Sequence, residues 1–136
     1  MPTRRRFLLA MVAAGLALGA AGTHAATPMI EIIAMPHPPV RAALQPLRSW
    51  LAAQGEKVVV QEIDSESPQG AHHMAQAGLH GHIPILILIN GEYRFQRTDG
   101  SAVAFVNFPD APASPPGVRG NWLPADLEAV VTERMQ

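Results

Sequence analysis

Beyond residue 25 this 136-residue chain carries five histidines, His37, His72, His73, His80 and His82, and Met35 stands two residues before the first of them. A thioether among several imidazoles is a ligand set suited to copper and, less selectively, to zinc. Met35, His37, His80 and His82 are therefore the candidate metal ligands, in a carrier that binds and releases its ion. His72 and His73 are neighbours on an expected helix and point in different directions, which suits exposed or packed side chains better than a shared ion. A hydrolase using a metal-bound water needs three placed ligands and an open position, and no spacing here fixes that geometry.

Other chemistries are thinly represented. Ser65, Ser67, Ser101 and Ser114 sit in polar or proline-rich turns, outside any nucleophile-elbow pattern. The loop Gly78 to Gly81 lacks the lysine and hydroxyl residue of a phosphate-binding loop. Asp64 and Glu66 follow a strand, where sites in α/β proteins form, but read more simply as a solvated acidic turn. The chain has no cysteine, so thiol-disulfide exchange is excluded: neither the attacking thiolate nor the sulfur it attacks exists.

The elements that must hold these residues follow from hydrophobic period and turn chemistry. Met29 to Met35 (MIEIIAM) is an apolar run broken only by Glu31 and reads as a buried strand ending at the turn Pro36-His37-Pro38-Pro39. Val40 to Gln54 has helical spacing, with Pro46 expected to kink it and Gly55 to stop it. Lys57 to Ile63 is a second strand, and Ser67 is placed to cap a helix starting at Pro68 and ending near Ala77 or Leu79. Ile85 to Ile89 reads as a central strand covered on both faces, and Asn90-Gly91 as a type I′ hairpin turn into a return strand over Tyr93 to Arg97. Asp99-Gly100 turns the chain again toward a short edge strand within Val103 to Phe108. Pro109 to Gly120 is too rich in proline and glycine for helix or central strand, and is either an ordered loop wrapping the surface or a mobile one. A last helix runs from Pro124 or Ala125 to Arg134, and Phe105, Phe108 and Trp122 form either a satellite core under the loop or, less simply, an apolar rim for a partner.

Residues 1 to 25 have the layout of a secretory signal: Arg4-Arg5-Arg6, an uncharged Ala/Leu run to Gly22, and Thr23-His24-Ala25 before a cut. Arg-Arg followed by Phe7-Leu8 also resembles the twin-arginine pattern, so ordinary secretion and twin-arginine export both stay open. The expected product is one domain, residues 26 to 136, periplasmic or secreted, with no stable membrane span once the signal is gone. Without Arg4, Arg5 and Arg6, seven basic residues face eleven acids, a balance that argues against nucleic acid and anionic membrane surfaces as partners.

The order strand, helix, strand, helix, then Ile83-Pro84 entering a buried strand, a hairpin and a final helix resembles the thioredoxin-like family over Met29 to the C-terminus. In that resemblance His37-Pro38-Pro39-Val40 takes the place of the Cys-x-x-Cys turn, with His37 or Pro38 at the nucleophile's position. The fold it implies is α/β, a central mixed β-sheet flanked by helices. It also implies a cis bond at Ile83-Pro84 and an approach of the His80 and His82 loop to His37. What survives without cysteines is a groove made by His37, Pro38, Pro39, Ile83 and Pro84. The expectation is an exported binding or accessory protein for a protein or peptide partner; the alternative is a periplasmic copper or zinc carrier at the same histidines.

Overall fold

The computed structural model describes residues 26–136, so the export signal expected in 1–25 lies outside the described residues. Strand β1 (Met29–Ala34) forms because β-branched residues alternate across it, and it is the middle strand of three. It pairs in parallel with β2 (Val59–Asp64), Met29 opposite Val59 and Ala34 opposite Asp64, and antiparallel with β3 (Ile85–Ile89), Glu31 opposite Leu88. The result is a mixed α/β architecture with a small mixed sheet flanked by helices.

Helix α1 (Pro38–Gln54) joins the two parallel strands. It begins two residues before the periodicity predicts, because Pro38 and Pro39 fall in the first turn, where a missing N–H costs nothing. It runs unbroken through Pro46 and buries Val40, Leu44, Leu47 and Leu51 against Ile30, Ile32, Ile85, Ile87 and Ile89. Helix α3 (Pro124–Arg134) adds Leu127, Val130 and Val131 to that core. Helix α2 (Pro68–Gln76) covers the opposite face, where the buried residues are Ile33, Ile63, Leu86 and Leu88.

After β3, Asn90 and Gly91 both have positive φ (51° and 84°), as a type I′ turn requires. The expected return strand does not lie along β3. Apart from the bridge of Ile89 to Glu92, β4 (Arg94–Gln96) pairs only with β5 (Ala102–Ala104), in a separate two-stranded sheet. The chain just past β5 takes the edge of β3 instead: the Ile87 N–H donates to the Phe105 carbonyl (2.9 Å) and the Asn107 N–H to the Ile85 carbonyl (2.8 Å). The physical reason is burial, since Phe105 is fully enclosed there beside Trp122, edge to face with ring centroids 5.9 Å apart.

Trp122 also donates its indole N–H to the Asn107 carbonyl at 3.0 Å, so Phe105, Phe108 and Trp122 are core and not a partner-facing rim. The Pro109 to Gly120 loop is ordered by its own bonds. The buried Ser114 hydroxyl donates to the Pro109 carbonyl (2.6 Å), and Arg119 donates to the carbonyls of Pro112 and Ser114. Arg97 ties the β4–β5 hairpin to α3 through both oxygens of Asp126, at 2.8 and 3.0 Å, and through the Asn121 carbonyl.

Candidate functional site

Helix α2 decides what the second face of the sheet can do. Ser67 caps it, accepting the Gly70 N–H (3.1 Å) and donating to the Asp64 carbonyl (2.6 Å). Gly70 lies so close to the preceding turn that a Cβ there would overlap the Asp64 carbonyl oxygen and crowd Ser65. The helix is only nine residues long, and a cavity opens on either side of it.

The first cavity, about 310 Å³, lies at the carboxyl ends of β1 and β2. Met35, Ser65, Glu66, His80, His82 and Ile83 line it. Three of the four expected metal ligands thus border one space, and the fourth, His37, reaches its rim by a 3.0 Å contact from Nε2 to the Glu66 carboxylate. His37 and Glu66 are each about half exposed, with side chains 50% and 53% accessible, so this pair is screened by water. Met35 is buried. The Ser65 hydroxyl is also buried and has no hydrogen-bond partner. Among the described residues no group of three or more His, Asp or Glu side chains is gathered closely enough to hold a metal ion.

The expected groove is divided. Ile83 borders the first cavity, whereas Pro39 borders an apolar cleft of about 450 Å³ against Phe108, Pro109 and Pro115 of the proline-rich loop. Pro38 is exposed in the first turn of α1. Pro84 is buried, and its carbonyl accepts the Met35 N–H at 2.9 Å, so it offers no free backbone acceptor to a peptide. No peptide bond among the described residues is cis, and the Ile83-Pro84 bond is trans. That corrects the cis-proline expectation. Trans is the lower-energy isomer of an X-Pro bond by about 0.5–1 kcal/mol, and the ladder bond from Met35 is made with it in place.

The second cavity, about 610 Å³, went unnoticed in the sequence. Glu31 projects into it from the middle strand, beside His73 and Gln76 of α2 and the Glu92, Tyr93 and Arg94 run after the hairpin. The Glu31 side chain is only 15% exposed, yet the basic group nearest to it among the described residues is the His73 imidazole, Nε2 at 3.8 Å, beyond hydrogen-bond reach. The available signal was Glu31 itself, the one acid inside MIEIIAM. Comparison with known protein families, curated proteins and solved structures gives no match.

Proposed function

We propose that the chain is an exported, thiol-free protein of thioredoxin-like arrangement that acts by binding, holding a protein or peptide segment at the cavity between α2 and the His80 to Ile83 loop. The observation that carries this reading is the cavity itself, set at the carboxyl ends of two parallel strands and lined by Met35, His80, His82 and Ile83. Met35, Met74, Leu79 and Ile83 supply apolar lining, and His80, His82 and Glu66 a polar rim. With Pro84 engaged by Met35, recognition rests on side chains and not on an added strand.

A photo-crosslinking residue at position 82, compared with one at the exposed Ala53 near the end of α1, tests this in the producing cells. A discrete adduct from position 82 alone supports the reading; identical patterns from both positions, or none, refute it.

The convergence of Met35, His80 and His82 on one cavity also favours a second reading, a copper or zinc carrier. Calorimetric titration of the purified protein with Cu(I) and Zn(II) separates the two. Stoichiometric binding lost in both Met35→Leu and His82→Ala would put the carrier first.

A further inference from the structure

The cavity on the other side of α2 holds charges that the fold does not use. Among the described residues, the side chains of Glu31, Glu92 and Arg94 make no hydrogen bond, and the only ion pair among them is the long contact from Glu31 to His73. The Glu31 side chain is 15% exposed, and a carboxylate partly withdrawn from water in the middle of a sheet gains from a compensating partner. His73 at 3.8 Å compensates weakly and leaves the second carboxylate oxygen free. Arg94, exposed at the cavity wall, lies over the Tyr93 ring with its guanidinium carbon 4.9 Å from the centroid, and its N–H donors are open. Leu88 and Ala77 complete the wall with apolar surface.

A part-buried acceptor, a guanidinium beside an aromatic ring and apolar surface lining the same cavity match one kind of ligand, a small molecule with a cationic and an anionic end. We propose that this cavity binds a zwitterion carrying a free ammonium and a free carboxylate, a free amino acid or a short peptide. The ammonium pairs with Glu31, backed by Glu92, and the carboxylate takes the Arg94 fork. The volume of about 610 Å³ exceeds what one amino acid fills, which favours a peptide of two or three residues as the better-fitting source. This site is separate from the cavity proposed for a protein segment, since α2 lies between the two.

The test is a calorimetric and amide-NMR titration of the purified protein with leucine and with leucyl-alanine, beside N-acetylleucine, leucinamide and n-butylamine. Saturable binding is expected from leucine or the dipeptide, tighter for the dipeptide, with shifts at Glu31, His73 and Arg94. Blocking the ammonium, or Glu31→Gln, should weaken binding at least tenfold. Blocking the carboxylate, or Arg94→Gln at its exposed position, should weaken it several-fold; each variant's amide spectrum reports that it is folded. The proposal is overturned if neither zwitterion saturates by 20 mM, if butylamine binds as well as leucine, or if folded Glu31→Gln binds unchanged.

Discussion

On the side of α1 and α3, β1 and β3 present Ile30, Ile32, Ile85, Ile87 and Ile89 to a core that also takes in Phe105 and Trp122. On the side of α2 the same strands offer Ile33, Leu86 and Leu88, then a carboxylate, and the helix above them ends at Gln76. The two faces are thus packed differently. The five isoleucines of the first face are fully enclosed, whereas the second face leaves two cavities, one edged by Met35, His80 and His82 and the other by Glu31 and His73.

Ile87 and Leu88 are neighbours on β3 that point to opposite faces, so they give the largest and cleanest test of this asymmetry. Truncation to alanine costs about 2–5 kcal/mol in a core, more where the surroundings cannot relax. Ile87→Ala should fall in the upper half of that range and Leu88→Ala near its floor, by urea unfolding of the two variants. Equal costs would show that both faces are packed alike.

Gly70→Ala comes next. The added methyl has to displace the backbone of the turn before α2, at about 1–3 kcal/mol. Because α2 carries His73 and Gln76 into one cavity and borders the other through Met74, the same change should perturb the amide resonances around both cavities while leaving those of α3 in place. A loss of stability without that local pattern would separate α2 from the sites.

The hairpin clamp is a smaller effect with a pH signature. Asp126 is held below the usual carboxylate range, first by its hydrogen bonds from Arg97 and then by the Leu123 N–H (2.9 Å), against the opposing effect of burial. A depressed folded value means that the stabilisation is complete above the unfolded value, near 4 for an aspartate, and is lost as pH falls through the folded one. Asp126→Asn should therefore cost about 1 kcal/mol at pH 7, and the gap in Tm between wild type and variant should close below about pH 4. A gap that does not narrow as pH falls below about 4 would mean that the Arg97 to Asp126 pair is not its source.

Much of the fold is legible in the sequence wherever local chemistry decides the outcome. Asn90-Gly91 dictates its turn, Ser67-Pro68 starts α2, and the period of Val40, Leu44, Leu47 and Leu51 gives α1. The pairing of Phe105 to Asn107 with β3 is not legible, because a short strand carries no mark of its partner and the choice is made by burying Phe105 against Trp122. The resemblance implies an approach of the His80 and His82 loop to His37; the loop instead shares a cavity with Met35, and His37 touches only the rim through Glu66, while the split between Pro39 and Ile83 depends on a proline-rich loop that the resemblance does not describe. Glu31 and His73 escape notice for a different reason. An acid in a strand signals a site only once the length of the covering helix is known, and that length sets which face stays open.

The smallest effects belong to the open face, where they carry the sharpest contrast. The half-exposed pair of His37 and Glu66 sits in water, so His37→Ala should change stability by less than about 1 kcal/mol. Glu31→Gln keeps the shape of the side chain and removes a charge that the folded protein compensates poorly, so it should leave stability unchanged or raise it, within about 1 kcal/mol. A carboxylate kept for stability would behave in the opposite way: its removal would take from His73 the anion that it faces at 3.8 Å and lower the melting temperature. Thermal unfolding of Glu31→Gln beside His73→Gln and the double variant distinguishes these outcomes. A coupling energy near zero in that cycle means that the 3.8 Å contact contributes nothing to holding α2 on the sheet.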